Sequence, residues 1–247
     1  MSARVKSRDP GLYAAAAGLF AVCAALTLYF CRSMSGGMEM SGGWTMSMMW
    51  MRMPGQSWTG AAAMFMAMWA AMMVAMMLPS AFPMLQRHHS TWATTGLVAA
   101  GYFFIWSAAG AAVYLPGVIL GLAAMRWDSV SRAVPYLTAM GVLAAGVLQF
   151  TSWKWQALSR CRGPFSCANC ALMSPGQAWK RGVQCGTCCV TCCFGPTLIL
   201  LALGMMNPVV IGIITVLIAM EKLLPEPKYV VKAAGALAVI WGVALLV

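Results

Sequence analysis

The chain has 247 residues, 62% of them hydrophobic and only 9% charged, with a mean hydropathy of +0.78. A soluble globular domain, with about a quarter of its residues charged, is excluded. Sixteen Lys and Arg against five Asp and Glu give a net charge of +11, but the aromatic residues sit at the ends of apolar runs and not among the basic ones. The excess therefore speaks for membrane topology and against nucleic acid as a partner.

Several runs of about 18 or more apolar residues are each long enough to cross a hydrocarbon core roughly 30 Å thick. A spanning segment must satisfy its own backbone hydrogen bonds, so the expected fold is all-α, a polytopic transmembrane helical bundle in the lipid bilayer. The alternating segments of about ten residues that a barrel needs are missing. Seven spans are read, at residues 11–31, 58–85, 92–120, 133–153, 183–206, 208–224 and 229–247. The last two are the weakest, which makes the count six to seven. The first, GLYAAAAGLFAVCAALTLYFC, follows Arg4, Lys6 and Arg8 as a signal peptide would. Its uncharged length exceeds the ~7–15 residues of a signal core, so it reads as an uncleaved helix.

Basic residues orient the bundle. With a cytoplasmic N-terminus, eleven fall inside (Arg4, Lys6, Arg8, Arg87, Lys154, Arg160, Arg162, Lys180, Arg181, Lys222, Lys228) and only Arg32, Arg52, Arg126 and Arg132 outside, with Lys232 left in the last helix. That is the positive-inside bias. Residues 1–247 then form one integral membrane domain, with an extracytoplasmic loop at 32–57 and a basic cytoplasmic loop at 154–182.

The outer loop, RSMSGGMEMSGGWTMSMMWMRMPGQS, carries methionines at 34, 38, 40, 46, 48, 49, 51 and 53. Its Gly and Ser predict flexibility. An exposed loop gains little from apolar thioethers unless they capture a soft metal such as Cu(I). In the second span Met64, Met68, Met72 and Met76 recur at i+4, and Met66, Met73, Met77 and Met84 form a stripe on the opposite side. Methionine is also a common filler of helix interfaces, so for the helix alone packing and metal transfer both remain open. His88 and His89 at its inner end are a candidate receiving pair, or polar surface.

Ten cysteines complete the sulfur inventory. Cys23 and Cys31 read as inert apolar residues. Cys185, Cys188, Cys189 and Cys192 stand at i, i+3, i+4 and i+7, on one helix face, and Cys193 flanks it. Pro196 cannot donate to the carbonyl of Cys192, which should loosen the helix there. In the preceding loop Cys161 joins the C-x-x-C pair Cys167 and Cys170, which suits a soft or borderline ion or a redox dithiol. Four thiols would also hold zinc in a closed site, but thioethers bind zinc poorly and the methionines favour copper. Glu221, beside Lys222, is a candidate ligand, proton site or helix-end salt pair.

These stretches resemble a prokaryotic family of unknown function, described as predicted metal-binding integral membrane proteins. The resemblance rests on MWAAMMVAMMLPSAFPM, AAGVLQFTSWKWQAL, CRGP, AWKRG, Cys185 with Cys188 and Cys189, GMMNP and EK. The chain departs from that pattern where Ala157 replaces a cysteine, where Val190 replaces a tryptophan, and where Cys192 and Cys193 are added. The resemblance implies a membrane metal-binding protein of the prokaryotic inner membrane and no reaction.

The expected function is copper handling, with Cu(I) bound by Met66, Met73 and Met77 and by Cys161, Cys167, Cys170, Cys185, Cys188, Cys189, Cys192 and Cys193. Passage from neutral thioether to anionic thiolate is downhill, and without a P-loop no nucleotide drives it. No enzymatic activity is expected; a membrane thiol oxidoreductase and a metal-loading subunit of a copper enzyme are the alternatives. Candidate partners are a copper chaperone or a copper membrane enzyme. The oligomeric state is left open.

Overall fold

Short polar caps precede most of the apolar runs and fix where the helices begin. The computed structural model describes residues 9–34, 36–53, 55–89, 91–163 and 173–246, apart from the side chain of His88. Helix α1 (Pro10–Ser33) starts on Asp9, α2 (Trp58–His88) on Ser57, and α3 (Trp92–Arg126) on a Thr91–Thr94 capping box. Each side-chain oxygen satisfies an N–H that the first helical turn leaves over. Then follow α4 (Asp128–Leu148), α5 (Ser152–Arg162), α6 (Pro175–Cys192), α7 (Phe194–Leu203), α8 (Pro208–Leu223) and α9 (Pro227–Ala244). Proline opens α1, α6, α8 and α9, where its missing N–H costs nothing.

Five helices are long and apolar enough to cross a membrane: α1, α2, α3, α4 and α9. The expected fifth span, 183–206, is instead a broken pair, with α6 and α7 meeting at 61°. The break falls at Cys193, just before Gly195 and Pro196, as the proline requires. The expected sixth span is the 16-residue α8, short for a crossing helix. The segment 154–182, expected as a loop, begins inside α5 and ends inside α6. Cys167 and Cys170 lie outside the described residues.

Helix α2 is the centre of the bundle. In its most apolar window 61% of residues are buried, against 17% in α1 and in α3. Met68, Met72, Met73, Met76 and Met77 are consequently all buried, on both expected stripes. The outer helices turn Leu19, Phe20, Val22, Leu237, Ile240 and Trp241 outward, an apolar exterior that a bilayer would cover.

The methionine loop differs from the flexible segment its composition predicts. Strands β1 (Gly37–Met40) and β2 (Trp44–Ser47) pair antiparallel, with Met38 opposite Met46, and a 3-10 turn follows at Met48–Trp50. Gly42 and Gly43 make the turn with φ of +108° and +74°. Tryptophans dock the hairpin: Trp44 Nε1 donates to the Ser131 carbonyl at 2.9 Å, and Trp50 lies over Gly117 of α3. Two aromatic anchors outweigh the local flexibility of the Gly and Ser residues.

At the opposite end α6 runs against α3 with backbone in contact with backbone. A Cβ on Gly182 would lie 2.2 Å from the Val98 carbonyl oxygen, and one on Gly101 would lie 2.6 Å from that of Trp179. Small residues permit this approach between apolar helices. Gly182→Ala is expected to lower the thermal midpoint in detergent strongly, with an overpacking cost of about 1–3 kcal/mol or more. Gly212→Ala, where nothing lies within 4 Å, should leave it unchanged. Circular dichroism melts of the two variants check this.

Candidate metal centre

The cysteines of α6 do share a face, and that face meets four other helices. Cys185, Cys189 and Cys192 are buried, Cys193 is buried at the break, and Cys188 is half-buried. Cys189 is the hub. Its Sγ receives a hydrogen bond from the Tyr102 hydroxyl of α3 at 2.8 Å and from Lys222 Nζ of α8 at 2.7 Å. Both donors suit the thiolate form in which a cysteine ligates metal. The same sulfur lies 4.0 Å from Met77 Sδ of α2 and 4.0 Å from Cys193 Sγ, which in turn lies 3.7 Å from Cys192 Sγ. From α5, Cys161 packs against this core and shares a cavity wall with Cys185, Cys188 and Cys189. The eight described cysteines are free thiols.

A buried polar network backs the thiols. Lys154 Nζ bonds Glu221 Oε2 at 2.6 Å, and both side chains are 2% exposed. Gln149 Nε2 donates to the other carboxylate oxygen at 2.9 Å. Lys154 Nζ also donates to the Cys192 carbonyl at 2.8 Å, the acceptor that Pro196 leaves over. Arg162 Nη1 holds the Glu221 carbonyl at 2.8 Å, which pins the C-terminal turn of α8 to α5. Glu221 is thus paired with Lys154 of α5 and not with its neighbour Lys222, which is turned to Cys189.

Sequence reasoning found the sulfurs and missed Tyr102, Lys154 and Lys222 as their partners. For Lys154 there was a signal: a carbonyl freed by Pro196 inside an apolar bundle must find a donor. Tyr102 gives none, because it is one apolar residue among many in α3. His89 is engaged at both ring nitrogens. Its ring nitrogens meet Asp9 at 3.0 Å and Thr95 at 2.8 Å, tying α1 to α3.

At the hairpin end Met46 and Met49 are buried, and a small cleft is lined by Met34, Met48, Met49, Met64 and Met68. Met49, Met68, Met72, Met73, Met76, Met77 and the four buried cysteines of α6 and its break belong to one continuous core, with Met66 packed at its edge. Thioethers therefore extend through the bundle from the hairpin to the thiols. Among the described residues, no three side chains of His, Cys, Asp or Glu are placed as a ready-made ligand set. The sulfurs meet in thiol contacts, and capture of an ion would draw them together. Neutral and anionic sulfur is the donor chemistry of Cu(I) and not of hard cations.

The sequence model of the family described as PpoB2, copper chaperone, matches residues 66–245. No curated protein and no solved structure matches the chain.

Proposed function

Because the chain belongs to the PpoB2 copper chaperone family, we propose that it is a multi-pass protein of the prokaryotic cytoplasmic membrane that carries Cu(I) on sulfur between its two ends. The observation that carries this reading is the 4.0 Å contact between Met77 and Cys189, where the methionine core of α2 meets the thiols of α6. Copper is cargo and not a cofactor, and the protein acts by ligand exchange without an enzymatic reaction. The hairpin methionines gather Cu(I) outside, α2 passes it inward through Met73 and Met77, and Cys161, Cys185, Cys188, Cys189, Cys192 and Cys193 hold it more firmly. The gradient from thioether to thiolate supplies the direction. The hairpin precedes residue 66 and so stands outside the matched stretch. A copper-dependent membrane enzyme, to which a chaperone hands its metal, is the partner this implies.

Anaerobic titration of the reduced, purified chain with Cu(I), followed by elemental analysis and a thiol count, tests the reading. The expected result is copper retained through desalting while free thiols fall without disulfide formation. No retained copper, together with thiols that cycle reversibly to disulfide, would overturn it in favour of a membrane thiol oxidoreductase.

A further inference from the structure

The thiol cluster is not sealed from its end of the bundle. A cavity of about 390 Å³ opens between α2, α3, α5, α6 and α8. Its wall carries Cys161, Cys185, Cys188 and Cys189, and beside them Arg87, Arg162 and Lys222. Among the described lining residues there is no carboxylate. Arg162 spends its guanidinium on the carbonyls of Glu221, Leu224 and Pro225, neutral acceptors that leave its positive charge at the rim. The nearest acid, Glu221, is consumed by Lys154 and Gln149 below.

Such a mouth is wrong for a bare cation. Two guanidiniums, with the Lys222 ammonium behind them on Cys189, make a low-dielectric recess that repels Cu⁺ and attracts anions, and a recess of one sign focuses the field along its axis. The volume suits a small molecule, at the lower end of the range for such sites, ~300–1,000 Å³. Resting on the copper reading above, we propose that copper passes through this mouth as an anionic complex, Cu(I) held by two carboxylate-bearing small thiols and docked by Arg87 and Arg162, with Lys222 holding the receiving sulfur of Cys189. Half-buried Cys188 meets the complex first and buried Cys189 displaces the second ligand. The exchange balances: two protein thiols give their protons to two departing small thiolates, two Cu–S bonds form as two break, copper stays Cu(I), and the single negative charge of the dithiolate complex moves onto the protein. In reverse the same steps release copper.

Stopped-flow transfer to the full chain in nanodiscs, anaerobic and followed by near-ultraviolet thiolate–copper absorbance, tests this with two probes. One is Cu(I) with glutathione, which is anionic, and the other Cu(I) with cysteamine, which is cationic, at matched free Cu(I). The glutathione complex should transfer at least about tenfold faster at low ionic strength, and the advantage should fade with salt. Arg87→Glu should slow the glutathione complex by about tenfold and speed the cysteamine complex, with Arg87→Gln between. That crossover is not a symptom of misfolding, and a melting curve of each variant confirms the fold. Equal rates from both donors, or a variant that slows both alike, would overturn the proposal while leaving copper handling intact. Copper taken only from acetonitrile-solvated Cu(I), and from neither thiol complex, would also overturn it. A chain that takes copper from no donor sinks the copper reading itself.

Discussion

Replacing Lys154 by methionine is expected to destabilise the folded chain by about 3–5 kcal/mol, the usual cost of removing one partner from a buried ion pair. The ammonium has two tasks, and neither has a substitute. It neutralises Glu221, whose carboxylate is as deeply buried, and it donates to the Cys192 carbonyl that Pro196 leaves without an N–H. Methionine fills the volume but leaves a buried charge and an unpaired acceptor. Removing both charges, as Lys154→Met with Glu221→Leu, should recover most of the loss, because a buried pair replaced by apolar residues is often neutral. A deficit of about 1–3 kcal/mol should remain for the orphaned carbonyl. Reversible unfolding in mixed micelles measures all three chains. If Lys154→Met unfolds like the unsubstituted chain, the buried pair is absent; if the double variant is no better than the single, the energetic logic is wrong. Because the network fastens α5 and α8 to the break between α6 and α7, the single variant should also bind copper more weakly.

How much of this arrangement was legible beforehand follows the periodicity of each element. The long apolar runs announce α1 to α4 because length and hydropathy suffice to mark a candidate span, whereas α9, one of the two weakest readings, also proves long and apolar enough. The cysteine face of α6 is readable because 3.6 residues per turn put i, i+3, i+4 and i+7 together. Its break is readable because proline has no N–H. Stripe reasoning loses its force in the middle of α2, where Met72 and Met73, from opposite stripes, are equally enclosed. The hairpin was misread as flexible because Gly and Ser report local freedom, whereas its order comes from Trp44 reaching Ser131, a contact 87 residues away in sequence. The resemblance helped in an indirect way. AAGVLQFTSWKWQAL and EK, which carried it, contain Gln149, Lys154, Glu221 and Lys222, and the fold brings these four side chains behind and beside Cys189. These motifs thus support the cysteine face through Lys154 on the Cys192 carbonyl and Lys222 on the Cys189 sulfur.

Cys189→Ser should do the greatest damage to copper binding, because this sulfur joins four elements of the centre, α2, α3, α8 and the break after α6. It faces Cys193, lies 4.0 Å from Met77, and receives Tyr102 and Lys222. A serine hydroxyl is a hard, neutral oxygen and does not replace a thiolate for Cu(I). The expected loss of Cu(I) affinity exceeds about 100-fold, the upper end of what residues that merely orient a ligand contribute. It should show in competition with a colorimetric Cu(I) chelator at fixed pH. Cys188→Ser, on the cavity wall, should cost under about tenfold in affinity, since such a thiol would only relay the metal. Met77→Leu keeps the packed volume and should leave the final affinity nearly unchanged while slowing arrival of copper from the hairpin methionines. These variants separate the roles of hub, entry and relay that the geometry suggests. Equal losses for Cys188→Ser and Cys189→Ser would mean that the ion sits in the cavity mouth and not in the buried cluster. A slow Met77→Leu chain with intact affinity would place the thioether on the path, and an unaltered rate would reduce the methionines of α2 to packing.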